Sequence, residues 1–374
     1  MRKILGLLRD TRLDQLTDQG ASQARMNEVS EKFAFFDREL SGIGTFGTNE
    51  RMQEVMISAD FTYAIQEFVQ RKMWAAYTQQ TFMFEPLVKS DTLPNYLPVT
   101  RYLDQAGVDD LEYVAEKAQA RPGYVSDATK RQWQVYIWAK QYDFSHQALV
   151  NDDLGYFDDQ TTKMGRAARR TLEKFVSRMY TNATSIARLT DLGALYWTTG
   201  RLSTARISEA RMAFNQRTDI RGERINADLR YIVYHTGLAD TVAQIQASEL
   251  VPELATNAAN TIRGSFVGIK DPYITGTAPT LPWYAFTDPN VGPAALVLAR
   301  LAGVPGPMIL RKRSDIESIT SILGAGTPVS PMWGDFASGN IVLKVMDVWG
   351  TYIDGTEGNY VDYRGAYGSA ATAP

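Results

Sequence analysis

The sequence predicts a mixed α+β fold, and three features carry that prediction. Residues 161–180 space apolar side chains by three and four, whereas residues 132–142 and 341–349 alternate with a period of two. Between them, residues 252–331 are rich in glycine and proline that separate short apolar runs. With 374 residues, 44% of them hydrophobic, the chain is long enough to bury one large core or two smaller ones.

Met1-Arg2-Lys3 followed by Ile4-Leu5-Gly6-Leu7-Leu8 imitates a signal peptide, but Arg9 and Asp10 end the apolar run early, so the segment reads as an amphipathic arm. From Met1 to about Arg51 the chain stays charged and closes on Gly42, Gly44 and Gly47, which suits an extended arm with short helical pieces. A helix follows, with Ser58 or Asp60 as its N-cap and Phe61, Ile65, Phe68, Val69 and Met73 on its buried face.

Pro86, Pro94 and Pro98 break the helical pattern. Leu111 to Ala118 and Gln132 to Tyr142 then read as two strands of a long hairpin, joined through Pro122-Gly123 and Ser126-Asp127. The second strand places Trp133, Val135, Ile137 and Ala139 on one face and Gln134, Tyr136, Trp138 and Lys140 on the other. Large groups on both faces call for packing on both sides, either at a sheet edge of the same domain or against another subunit.

Asn151-Asp152-Asp153 and Asp158-Asp159 precede the helix expected from about Thr161 to Tyr180, where carboxylates suit the positive end of the helix dipole. Its apolar seam is Met164, Ala168, Leu172, Phe175 and Met179, and a basic stripe of Lys163, Arg166, Arg170 and Lys174 follows another face. Such a stripe is either a solvated face or a partner for acidic residues of a neighbouring copy. Ile207 to Arg217 reads as a helix opened by Ser203-Thr204, Leu229 to Tyr234 as a strand, and Ala239 to Gln246 as a helix. Short apolar strands such as Ala294 to Leu298 come next, and Ile341 to Trp349 returns to alternation.

Composition excludes several chemistries. With 39 basic and 42 acidic residues the formal charge is -3, without the basic excess of a protein built to grip phosphates. The absence of cysteine removes disulfides, thiolate metal sites and cysteine nucleophiles. The histidines, His146 and His235, belong to no H-E-x-x-H motif, and G-x-S-x-G and P-loop motifs are missing. Asp152, Asp153, Asp158 and Asp159 lack EF-hand spacing and serve the helix dipole better than a metal. The tryptophans 74, 133, 138, 197, 283, 333 and 349 are too scattered to form a base-stacking platform. No apolar run approaches the roughly 20 residues of a transmembrane helix. Gly42-Ile43-Gly44-Thr45-Phe46-Gly47 has the spacing of a dinucleotide site, the basis of a rival reading as a nucleotide-dependent oxidoreductase. The charged stretch Lys32 to Leu40 ahead of it carries no buried strand, so hinge glycines fit better.

The segment DFSHQALVNDDLGYF (Asp143 to Phe157), running into GRAARRTLEKF (Gly165 to Phe175), resembles a signature of the major capsid proteins of tailed double-stranded DNA bacteriophages. The pattern continues through Leu202 to Phe214, Thr218-Asp219, RYIVYH (Arg230 to His235), WYAFTDPN (Trp283 to Asn290) and VDYRGAYGS (Val361 to Ser369). The resemblance spans roughly Leu111 to Ser369 and implies the Hong Kong 97-type capsid fold. Its expected parts are an N-terminal arm and helix (1–86), an E-loop hairpin with its flanks (87–145), and a peripheral domain with the spine helix (146–228). An axial domain (229–335) and C-terminal strands completing the peripheral domain (336–374) follow.

By the same resemblance, Lys117, Pro122, Gly123, Lys130, Trp133 and Trp138 are E-loop assembly residues, and Arg166, Arg170, Leu172 and Phe175 belong to the spine helix. It also suggests a covalent cross-link in which Lys117 or Lys130 joins Asn340 or Asn359 with Glu357 as helper, although loop lysines are ordinarily plain surface residues. The implied role is structural rather than enzymatic, needing no cofactor: hexamers and pentamers of an icosahedral shell around double-stranded DNA, held without sequence-specific contacts. Expected partners are the protein itself, a portal, and scaffolding and decoration proteins, with no membrane. Because no long scaffolding segment precedes the arm, scaffolding is expected from a separate protein. The expected location is the virion, after assembly in the host bacterial cytoplasm. An encapsulin-type nanocompartment enclosing cargo protein is the rival within the same fold.

Overall fold

In a computed structural model, the described residues are 59–79, 82–103, 129–145, 154–219, 222–225, 227–251, 258–276, 281–311, 340–354 and 357–369, with short pieces at 113–122 and a few isolated positions. The elements in chain order are α1 (Ala59–Thr78), β1 (Val88–Leu93), β2 (Val99–Leu103), β3 (Thr129–Ser145), α2 (Leu154–Thr181), α3 (Ala183–Asp191), β4 (Trp197–Thr198) and α4 (Thr204–Gln216). They continue with β5 (Tyr231–His235), α5 (Ala239–Ala247), β6 (Val267–Asp271), β7 (Trp283–Phe286), β8 (Leu296–Leu301), β9 (Met308–Arg311), β10 (Asn340–Asp354), β11 (Glu357–Gly358) and β12 (Ala366–Ser369). Helices and strands mix among the described residues, so the fold is α+β.

The chain divides into two units. The first gathers residues 1–80, 137–170 and 306–347. In it α1 buries Val69, Met73 and Tyr77, and α2 buries Met164. Gly165 lets the two helices approach, because any Cβ there would collide with the Met73 carbonyl oxygen. Gln70 fastens α1 to the start of β9: its amide donates to Pro307 O at 3.2 Å, and its carbonyl accepts from Ile309 N at 2.9 Å.

The second unit gathers residues 81–136, 171–305 and 348–374. One of its sheets has the order β1-β8-β10-β3-β2, and the other has the order β4-β12-β7-β5-β6. Strand β7 is buried at all four positions because its residues alternate between two cores. Tyr284 and Phe286 join Leu172, Val176, Met179 and Tyr180 of α2 in one core, which also takes in Leu296, Leu298 and Trp349 of the first sheet. Trp283 and Ala285 face the other way, toward Ile207 and Phe214 of α4 and Val242 and Ile245 of α5. A third cluster, with Leu93, Trp133, Val135, Val297 and Val348, covers the remaining face of the first sheet. Strand β10 runs tight against β3 at Gly350, where a Cβ would overlap the Gln134 carbonyl.

Several expectations need correction. The antiparallel partner of β3 is β2, in a register that sets Val99 opposite Trp133, whereas residues 113–114 and 116–117 of the expected strand Leu111 to Ala118 are irregular. Prolines 94 and 98 read as breakers, yet they frame the turn that lets β1 and β2 form on either side. Only Trp133 and Val135 of the expected apolar face of β3 are buried; Ile137 and Ala139 are exposed. Helix α2 begins at Leu154, which puts Asp158 and Asp159 inside it rather than ahead of it. Strand β10 continues past Trp349 to Asp354. Ser203 does cap α4, accepting a hydrogen bond from Arg206 N. The N-terminal arm, Gly42 to Gly47, Ser58, Gly123, His146, Asp152 and Asp153 lie outside the described residues.

Candidate assembly site

Strand β3 has 17 residues, so at about 3.3 Å per residue it spans roughly 55 Å. Its start belongs to the core: Trp133 is 6% exposed, and its indole Nε1 donates to Asp91 Oδ2 at 2.8 Å. Beyond Val135 the strand carries Tyr136, Ile137 and Trp138, which are 39%, 54% and 36% exposed. The β1–β2 turn adds Tyr96 and Leu97, also exposed, and Gln134 donates to the Tyr96 carbonyl at 2.7 Å. Exposed apolar groups of this size make this end of β3, and separately the β1–β2 turn, candidates for contact with a partner. Sequence reasoning missed the turn, although an aromatic and a leucine between two prolines is itself a sign of apolar groups held on a loop.

Among the other expected E-loop residues, Lys130 is exposed on β3 opposite Tyr102. Lys117 is exposed in a turn with a left-handed backbone, φ 67°, and Pro122 is exposed in an irregular stretch. Of the cross-link candidates, Asn340 is half-buried at the start of β10, and Glu357 contributes its backbone to β11. Asn359 is buried: its Oδ1 accepts from Ser185 Oγ at 2.6 Å, from Tyr360 N at 2.8 Å and from the Tyr363 hydroxyl at 3.1 Å. That network ties the Asn359 carbonyl oxygen to its own subunit and leaves its Nδ2 buried without a hydrogen-bond partner among the described residues.

In α2, Leu172 is fully buried, and Phe175 packs its ring 4.5 Å from that of Trp349. Lys163, Arg166, Arg170, Lys174 and Arg178 are all exposed. Beside the sheet, a cleft of about 380 Å³ is lined by Lys89, Asp91, Arg101, Trp133, Asp362 and Arg364 among others. Its two arginines pair within the wall, Arg101 with Asp91 at 3.3 Å and Arg364 with Asp362 at 2.8 Å. Among the described residues there is no group of three or more His, Cys, Asp or Glu that could hold a metal ion. No described helix is long and apolar enough to cross a membrane.

The core behind α2 is rich in phenols. Tyr180 and Ser177 donate to the buried Asp271 Oδ2, the serine at 2.6 Å, and Tyr273 N donates to Oδ1 at 2.7 Å. Burial first, and then the Asp271 carboxylate, push the Tyr180 and Tyr284 phenols above their ordinary value of 10.0. Burial likewise raises Tyr360, whose hydroxyl is without a hydrogen-bond partner. Each folded-state pKa lies above the unfolded one, so the stability they contribute is complete below pH 10 and falls as pH rises beyond it. Alkaline titration followed at 295 nm should therefore show part of the tyrosine absorbance appearing only with unfolding. Replacing Tyr360 by Phe removes an unpaired buried hydroxyl and should raise stability by about 1 kcal/mol at pH 7 and lift the alkaline midpoint. A lower melting temperature for that variant would show that the hydroxyl is bonded after all.

Residues 128–368 match the phage capsid protein family, a span that opens one residue before β3 and closes within β12. No curated protein matches the chain. Among solved structures, the capsid of an empty GTA particle aligns at 11% identity and TM-score 0.48, covering 79% of this chain and 91% of its own. A structure from Microbacterium phage Oxtober96 aligns at 9% identity and TM-score 0.47, covering 76% of this chain and 88% of its own. A virus-like particle from Pyrococcus furiosus aligns at 7% identity and TM-score 0.44, covering 82% and 99%.

Proposed function

The chain belongs to the phage capsid protein family, and from that membership we propose that its copies associate as hexamers and pentamers into an icosahedral shell around double-stranded DNA. The observation that carries this reading is the family match itself, which takes in β3, α2 and the second sheet. In the Hong Kong 97-type arrangement, β2 and β3 supply the E-loop, α2 the spine helix, residues 229–335 the axial domain, and residues 336–374 the strands that complete the peripheral domain. The role is structural: no catalytic step is assigned to any residue. A portal, scaffolding and decoration proteins are the further partners, and the virion is the location.

The exposed row Tyr136, Ile137 and Trp138 fits this reading, because a strand that reaches over a neighbour must bury large groups on a surface its own subunit does not supply. Shell formation would then come from many moderate contacts per subunit. Electron microscopy of the purified full chain should show closed shells of uniform size. Ile137→Lys should leave the subunit's circular dichroism and melting temperature unchanged while abolishing shells. Normal shells from that variant would remove β3 from the contact. In particles from their natural host, nuclease-protected genomic DNA is expected; a co-purifying enzyme in place of DNA would make the shell a protein nanocompartment.

A further inference from the structure

We propose that the basic face of α2 contacts the phosphate backbone of duplex DNA, so that this face of the helix is turned toward the enclosed genome. Lys163, Arg166 and Arg170 are exposed and separated by three and four residues, which aligns them about 4.5–6 Å apart along the helix axis. Lys174 and Arg178 prolong the row, giving five cations over roughly 22 Å.

The row is not a by-product of a basic protein, since the chain as a whole carries a formal charge of -3. Other arginines are neutralised in place, Arg101 by Asp91, Arg206 by Glu209, Arg263 by Glu249 and Arg364 by Asp362. Among the described residues, Lys163, Arg166, Arg170 and Arg178 have no such partner. The acids nearest the row do not cancel it: Asp159 stands one turn before Lys163, and Glu173 is half-buried and approached by the Tyr273 hydroxyl at 3.4 Å.

A straight row of charge is complementary to a linear polyanion. Duplex DNA carries one negative charge per about 1.7 Å of axis, so a 22 Å row lies in the field of roughly a dozen phosphates. An acidic surface on a second copy would need carboxylates aligned over the same length; of the other described helices, α3, α4 and α5 carry one each, Asp191, Glu209 and Asp240, and α1 carries Asp60 and Glu67, seven positions apart, so none presents such a row. Arginine also holds phosphate through two parallel donors and stays charged at any pH of interest. The contact reads no sequence, and it weakens steeply with salt.

That the DNA is an enclosed genome rests on the capsid reading; the contact itself does not. The test is fluorescence anisotropy of a random-sequence 30-base-pair duplex with the purified, unassembled full chain, titrated between 50 and 300 mM salt. Lys163→Gln/Arg166→Gln/Arg170→Gln keeps good helix formers on an exposed face. It should lower the log–log salt slope by roughly 2.7, about 0.9 per cation removed, and weaken binding at 50 mM salt by at least about 100-fold. Arg166→Gln alone should lower the slope by about 0.9. Arg201→Gln/Arg230→Gln/Lys270→Gln, which removes three exposed cations elsewhere, should leave the slope unchanged. An unchanged slope in the α2 triple variant, or an equal drop in the control, overturns the proposal. So does loss of shells with DNA binding intact, which would give the row to a contact between copies. A wild-type chain that binds DNA through α2 yet never forms shells overturns the capsid reading instead.

Discussion

Arg217→Ala should unfold the unassembled subunit roughly 10 °C below the parent chain, a loss of about 3–5 kcal/mol. Arg217 is 1% exposed at the end of α4, and among the described residues its guanidinium forms no ion pair with a carboxylate. Its charge is dispersed over main-chain carbonyls instead: Nη2 donates to Leu195 O and Ala366 O at 2.8 Å each, and Nη1 donates to Arg364 O. The Tyr196 and Phe214 rings stack on it, their centroids 4.2 and 4.1 Å from the guanidinium carbon. Desolvation lowers its pKa to about 10, which still leaves it charged at neutral pH. Alanine would strand the buried Ala366 acceptor and two part-buried ones, Leu195 O and Arg364 O, at up to about 1–3 kcal/mol each, partly relieved by water. Lysine keeps the charge but cannot reach three carbonyls from one nitrogen, so Arg217→Lys should recover less than half of the loss. Differential scanning calorimetry below the assembly concentration makes the comparison, because a lattice would stabilise every variant. A lysine variant within about 2 °C of the parent would mean that charge alone matters. Arg263→Ala, which breaks the exposed pair with Glu249, should cost under about 1 kcal/mol.

Leu172→Asp is expected to give insoluble or unassembled protein. Leu172 is fully buried among Val176, Met179, Leu296 and Trp349. The change removes a packed side chain and places a carboxylate where nothing pairs with it, at least about 4 kcal/mol together. Against a typical stability of about 5–15 kcal/mol, that loss populates the unfolded chain. Lys174→Asp, two residues further and exposed, should leave the fold within about 0.5 kcal/mol of the parent. Sedimentation of soluble extracts separates the two, and normal particles from Leu172→Asp would mean that the seam of α2 is wrongly drawn.

The apolar seam of α2 was legible because one element supplies its whole pattern, and Leu172 and Met179 are fully buried where the spacing puts them. The start of the helix was not, since an acidic cluster reads equally well before a helix or in its second turn. Strand β1, Val-Lys-Ser-Asp-Thr-Leu, could not be seen: only its end residues are buried, and it is made extended by parallel pairing with β8, some 200 residues away. The true partner of β3 lies only about 30 residues before it and was hidden instead by Pro94 and Pro98, which read as breakers of the pattern just ahead of β2. At the candidate site the basic row was readable from spacing, but that Trp133 is core depends on its packing with Leu93, Val297 and Val348, residues distant in sequence. Nothing local singles out Arg217, because the three carbonyls that hold it come from residues 195, 364 and 366.

Strand β12 lies inside the second sheet, with β4 on one side and β7 on the other, and two of the carbonyls around Arg217 come from it and the turn before it. During synthesis, β4, α4, β5 and β7 all leave the ribosome well before β12 does. Until it arrives, β7 keeps an open edge, β4 has no neighbour, and a buried cation lacks its acceptors. A chain terminated before β12 therefore cannot close this sheet or complete the cage of carbonyls around Arg217.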